Sequence, residues 1–193
     1  MGRRVQGVQS LGRSYLGAGP LAILPRFRDP PSMPSEPLFD LALVDATRTV
    51  ATIEDIRKAN PQRFEMEQLT RICYVDDAEG ILAGVLEVGS DPFWARGHLP
   101  GRPLMPGVMM IEAAAQLCSY FVRRVYDAKE YGERFFGFGG IDAVKFRGAI
   151  LPDETLVILG RKVEIRTRRA VFDTQGYVDG RLAFEARITG MWV

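Results

Sequence analysis

The stretch at residues 91–124, DPFWARGHLPGRPLMPGVMMIEAAAQLCSYFVRR, constrains the fold more than any other part of the chain. Its first half carries Pro92, Gly97, Pro100, Gly101, Pro103, Pro106 and Gly107, so neither a regular helix nor a central strand can run through it. Residues 108–131 then contain no Gly or Pro and are rich in Ala, Met, Leu and Val. Together the two segments predict a rigid, sharply bent loop feeding a long helix. Pro106 stands near the first helical position, where its missing N–H costs nothing. Apolar side chains recur on nearly every side of this helix, so it must be buried almost all round. His98, the single histidine of the chain, lies in the loop, and Glu112 lies in the helix among Val108, Met109, Ile111 and Ala115.

The rest of the chain alternates strands and turns. Strands are expected at 68–75, 81–88, 135–141, 143–146, 155–165, 170–178 and 182–192. Residues 76–80 form a hairpin loop, and Asp179-Gly180 is a strong two-residue hairpin signal. In the last strand, Leu182, Phe184, Ala186 and Ile188 share one face, with Ala183, Glu185, Arg187 and Thr189 on the other. A short apolar run covers 40–44. A helix opens after Thr52 as N-cap, with Glu54 and Asp55 in its first turn, and ends at Asn60-Pro61. No alternating strand–helix rhythm appears. The pattern is therefore an α+β fold: a single domain at 37–193 in which one curved antiparallel sheet wraps the long helix. An uncovered sheet edge and helix end favour a dimer.

Composition excludes several function classes. A net charge of +1 lacks the basic excess of a nucleic-acid binder. No uncharged run reaches the roughly 18–20 residues of a membrane span, so a cytoplasmic protein is expected. Cys73 and Cys118 sit in apolar periodic stretches and read as reduced core residues, with neither disulfide nor zinc spacing. Residues 1–36 differ: they carry Arg3, Arg4, Arg13, Arg26 and Arg28, no acid before Asp29, and a Pro30-Pro31 and Pro34 cluster. This segment reads as a disordered or loosely ordered extension, with Met33 an alternative start. Its apolar run at 16–24 is too short and Gly-interrupted for a signal peptide.

The run at 97–108, GHLPGRPLMPGV, followed by Glu112-Ala113-Ala114-Ala115-Gln116, resembles the signature of the FabZ-type 3-hydroxyacyl-[acyl-carrier-protein] dehydratases. Asn60-Pro61-Gln62-Arg63-Phe64 falls where that family has a Pro-His-Arg-Tyr or Pro-His-Arg-Phe run. FGGIDAVKFR at 138–147 resembles the family's strand after the helix, and Pro152-Asp153-Glu154 its following turn. The resemblance covers about residues 52–192. It implies the hot-dog fold and dehydration of a (3R)-3-hydroxyacyl thioester, carried by acyl carrier protein, to the trans-2-enoyl product in fatty acid biosynthesis. It also implies a homodimer or trimer of dimers in which His98 of one subunit faces Glu112 of the other, and a backbone donor at Gly107. Glu rather than Asp at 112 points to the FabZ type over the FabA type, which also isomerises its product. Two departures stand out. Gln62 replaces the family histidine, and Glu65 and Glu67 replace the usual Pro and Leu; altered substrate preference or assembly is expected from them.

The residue chemistry fits that activity without metal or cofactor. A histidine suits removal of the C2 proton because its ordinary pKa lies near neutrality. A carboxylic acid suits protonation of the departing C3 hydroxyl if apolar surroundings keep it neutral, and Glu112 has such neighbours. Gln116, one turn later on the same face, is placed to orient it. Gly107, at the helix start, lets its N–H approach a thioester oxygen, where the helix dipole favours developing negative charge; it also serves as a plain helix-entry residue. Phe93, Leu104, Met105, Phe138 and Ile141 line an acyl tunnel or pack as ordinary core. Lys145 and Arg147 would help dock an acidic carrier protein, whereas Arg166, Arg168 and Arg169 read as solvated hairpin charge. The plainer alternative for Glu112 is an ion pair with Arg63 or Arg102. A hot-dog thioesterase and a non-catalytic carrier-binding subunit are the competing functions.

Overall fold

In the computed structural model, residues 36–125 and 136–193 are described. The extension expected at 1–36 therefore lies outside the described residues, except for Glu36, as does the end of the expected long helix beyond Val125.

Local chemistry starts the first helix as anticipated. Helix α1 (Ile53–Ala59) opens with a capping box: the Thr52 hydroxyl accepts from the Asp55 N–H, and the Asp55 carboxylate accepts from the Thr52 N–H. These bonds satisfy orphan donors of the first turn. Lys58 and Thr52 around the Asp55 carboxylate hold it at about 2, below the usual range. The 40–44 run forms only a 3₁₀ turn (Leu41–Leu43), with Leu41 and Leu43 exposed.

Among the described residues, six strands form one antiparallel sheet in the order β1-β2-β4-β5-β6-β3. They are β1 (Arg71–Asp76), β2 (Ile81–Glu87), β3 (Phe136–Phe146), β4 (Thr155–Ile165), β5 (Arg169–Val178) and β6 (Arg181–Trp192). The β5–β6 turn has Asp179 at φ 50° and Gly180 at φ 72°. Two consecutive left-handed residues match the twist of a tight hairpin, which explains the Asp-Gly pair.

Two expectations are corrected here. The segments expected as separate strands at 135–141 and 143–146 form one strand, β3. A bulge between Asp142 and Lys145 interrupts its periodicity, with Ala143 at φ 51°. Leu182 does not share a face with Phe184. The register shifts between Gly176 and Tyr177, pairing Tyr177 with Leu182 and Gly176 with Phe184. The unpaired Ala183 joins the main core, and Leu182 turns to the opposite side.

The long helix α2 (Gly107–Val125) lies against the inner face of the sheet. Met110, Ala113, Ala114, Leu117, Phe121 and Val122 pack with Ile72, Leu82, Leu156, Ile158, Phe172, Phe184 and Ile188. Phe121 meets Phe172 edge-on, at 5.6 Å between ring centres. The expected curved sheet around a central helix is the observed arrangement. The opposite face carries a second apolar cluster that periodicity does not announce: Cys73, Ala83, Val85, Leu159 and Tyr177, covered by Leu38, Phe39, Val44 and Ala46. Gln175 ties the covering segment down, accepting from the Leu38 N–H and the Tyr177 hydroxyl and donating to the Glu36 carbonyl. Cys73 and Cys118 are free and buried. Among the described residues, no helix is long and apolar enough to cross a membrane.

Candidate active site

The loop before α2 is anchored at two apolar points and open between them. Trp94 and Met105 are buried, and the Met105 N–H donates to the Ile150 carbonyl at 2.9 Å. Between these anchors, residues 96–103 are exposed. The N–H groups of Gly97 and His98 both donate to the Trp94 carbonyl, and Gly101 turns the chain at φ 79°. His98 is thus presented outward on a short, hydrogen-bonded loop.

Gly107 begins α2. Its N–H, which no helical residue can satisfy, meets no acceptor among the described residues. The Phe146 ring covers its α-carbon.

Glu112 sits one and a half turns into the helix and is half-buried. It lines a cavity of about 230 Å³ with Gln62, Ala115, Cys118, Phe136, Phe138 and Ile188 among its walls. It also lines an open apolar hollow of about 410 Å³, formed with Val108, Ile111, Phe138, Ile141, Val144 and Phe146. Glu112 is therefore the ionisable side chain common to two largely apolar spaces.

Amides hold the carboxylate. Gln116 Nε2 donates to Glu112 Oε1 at 2.8 Å, and Gln62 Nε2 lies 3.4 Å from the same oxygen. Gln116 is itself buried and locked: Nε2 also donates to the Met66 carbonyl at 2.6 Å, and Oε1 accepts from the Gln68 N–H at 2.9 Å. Asn60 Nδ2 donates to the Gln116 carbonyl at 2.9 Å, tying the end of α1 to α2. The ion pair considered for Glu112 does not form. Arg63 instead donates to the carbonyls of Asn60, Gln62 and Arg57.

The structure brings together only part of the predicted set. Glu112, Gln116, Phe138 and Ile141 converge, and Gly107 adjoins them through Phe146. His98 lines neither space that Glu112 lines, within one chain. Met105 is a fully buried core residue, Leu104 is half-buried beside it, and Phe93 is exposed. Lys145 and Arg147 both lie against Glu185, at 3.6 and 2.7 Å, and this one carboxylate offsets part of their positive charge. Arg166 and Arg169 likewise pair with Glu164. Sequence reasoning missed Ala115, Cys118 and Ser119 as cavity walls. Their spacing of three, six and seven residues after Glu112 is the signal that reveals them, since it places them on one helix face. No local pattern announces Phe136, Ile188 or Gly190, which reach the cavity from two paired strands.

Comparison with known proteins agrees with this architecture. The family model described as FabA-like domain matches residues 60–187. The chain is 33% identical over 147 residues to a protein of Polynucleobacter necessarius subsp. necessarius named 3-hydroxyacyl-[acyl-carrier-protein] dehydratase FabZ, covering 75% of this chain and 94% of that one. A protein of the same name from Streptococcus equi subsp. zooepidemicus is 33% identical over 137 residues, covering 71% and 94%. Among solved structures, the dehydratase heterocomplex ApeI:P from Xenorhabdus doucetiae superposes with a TM-score of 0.61 at 16% identity, covering 72% of this chain and 90% of that one. A mutant thioesterase from Pseudomonas aeruginosa does so with a TM-score of 0.55 at 15% identity, covering 78% and 98%. At such identities the two structures share a fold with this chain, the hot-dog fold of a curved sheet around one helix. With the family model matching more than half of the chain and relatives one third identical along almost their whole length, the chain belongs to the FabA-like domain family and is of the FabZ type.

Proposed function

We propose that the protein dehydrates a 3-hydroxyacyl thioester, held on acyl carrier protein, to the trans-2-enoyl thioester of fatty acid biosynthesis. The observation that carries this reading is the setting of Glu112: an amide-held carboxyl group facing apolar space, with no cation paired to it among the described residues. The names of the relatives supply the substrate class.

The catalytic unit is a homodimer. His98 is exposed on its loop and absent from the spaces around Glu112. Val108, Phe138 and Phe146 are exposed around the apolar hollow, and β3 beside it is an edge strand of 11 residues. Exposed apolar patches and long bare edges are the surfaces that a second copy covers. In that assembly, His98 of the partner subunit removes the C2 proton. Glu112 donates a proton to the C3 oxygen as the C3–O bond breaks, and the electron pair of the C2–H bond becomes the C2=C3 double bond. The Gly107 N–H, at the positive end of α2, donates to the thioester oxygen and stabilises the negative charge that builds there. A proton passed from the imidazolium to the carboxylate resets the pair. The protein works in the cytoplasm.

Incubation of the purified protein with a 3-hydroxyacyl-carrier thioester tests this. Enoyl thioester is expected. Free acid would instead make it a thioesterase, and binding without turnover a carrier-binding subunit.

A further inference from the structure

The loop between α1 and β1 carries a second amide to the acid. Its backbone is unusually determined. Arg63 fastens three carbonyls, and Arg57 forms two bonds with the Glu67 carboxylate, at 2.6 and 2.8 Å. Gln68 Nε2 donates to the Glu65 carbonyl at 2.7 Å. Phe64 is held at φ 57°, a left-handed conformation that a bulky residue keeps only when its surroundings impose it. Gln62 is therefore delivered to the cavity wall by a stiff loop rather than a floppy one.

The orientation of its amide follows from what it faces. Glu112 Oε1 already accepts from Gln116 Nε2 at 2.8 Å, so the Gln62 group directed at it must be the NH₂ and not the carbonyl oxygen. Gln62 Oε1, turned the other way, is buried and has no partner among the described residues. An unsatisfied buried acceptor is a cost that a loop of this stiffness bears for the sake of the donor at its other end. Two amide donors now converge on one oxygen of Glu112. A neutral carboxyl group has one carbonyl oxygen and one hydroxyl, and amide N–H groups select the carbonyl oxygen.

We propose that Gln62 is a positioning residue for the acid: with Gln116 it fixes Oε1 of Glu112 as the acceptor, so that the proton delivered to the substrate leaves from Oε2. The inference rests on the dehydration proposed above. As the C3–O bond breaks, the Oε2 proton moves to the departing oxygen, water leaves, and the new carboxylate keeps both amide donors on Oε1. Gln62, unlike a histidine at this position, stays uncharged at every working pH.

Steady-state kinetics of the full-length chain with a 3-hydroxyacyl-carrier thioester test the role. Gln62→Met keeps length and loses the donor. It is expected to lower kcat about 3- to 10-fold, the worth of one hydrogen bond, with KM changed less than about two-fold. Gln62→His keeps a ring N–H and is expected to recover at least half of the loss. In a Glu112→Ala background, Gln62→Met is expected to have no further effect, because the group it positions is gone. A Gln62→Met enzyme with the parent kcat, equal losses in both backgrounds, or a loss confined to KM each overturn the role of Gln62 while leaving dehydration standing. A parent chain that forms no enoyl product overturns both.

Discussion

The ring of Phe146, at the end of β3, lies so close over Gly107 that a Cβ there would stand 2.6 Å from its Cζ. The start of α2 and the strand that walls the apolar hollow are therefore one packed unit. This contact, and not the backbone angles, favours glycine at position 107.

Gly107→Ala accordingly has to displace the Phe146 ring. Phe146 is half exposed and can swing, so the folded state survives, but the ring moves within the hollow that Glu112 lines. The expected result is a fall of roughly 10-fold in kcat/KM, less than the ~10²–10³ for outright loss of an oxyanion donor, with little change in Tm. Parent-like kcat/KM in the alanine variant would contradict the coupling.

The His98 and Glu112 roles predict complementation. His98→Ala and Glu112→Gln should each lower kcat by at least about 10²-fold while leaving the circular dichroism and Tm unchanged. After subunit exchange, half of the dimers are mixed and each has one intact site, so activity returns to roughly a quarter of the parent. Absence of recovery in verified heterodimers counts against a site shared between chains.

The thiols should be silent. Burial pushes the Cys73 thiol up to about 11 and the Cys118 thiol higher still. A disulfide reagent near pH 8 should titrate neither thiol in the folded protein and both after denaturation. Each folded thiol holds its proton more tightly than the unfolded one, so the associated stability is complete below about pH 9; the Cys73 part is lost as pH rises through about 11 and the Cys118 part at higher pH. Denaturant midpoints measured at pH 8, 9.5 and 11 check the sign; a midpoint that climbs with pH would refute it.

The outer apolar cluster should contribute to stability and not to turnover. Gln175→Ala strips the buried Tyr177 hydroxyl and the Leu38 N–H of their shared acceptor. The expected cost is about 1–3 kcal/mol, a drop of roughly 2–12 °C in Tm at the typical ~2–4 °C per kcal/mol. kcat should match the parent. An unchanged Tm would mean that the 36–46 segment does not seal that face.

Much of the fold was readable in the order of residues because its cues are local. Thr52 and Asp55 announce the start of α1, Asp179-Gly180 the last hairpin, and the break at Gly107 the change from loop to helix. The contact between Glu112 and Gln116 was readable for the same reason, since the two residues are one helical turn apart. The errors arose where a bulge shifts register. At Ala143 and Ala183 an inserted residue breaks the two-residue alternation, and only pairing with the neighbouring strand shows where each side chain goes.

The sequence by itself determined the helix, the hairpins, the outward loop with its lone histidine and the glutamate on the helix, since capping, turn chemistry and periodicity act over a few residues. Only the tertiary structure decided that Gln62, 50 residues before Glu112, turns its amide to that carboxylate, and that residues 36–46 close the far side of the sheet. Such contacts depend on how stiff elements pack once the core excludes water, and no short window of sequence contains both partners.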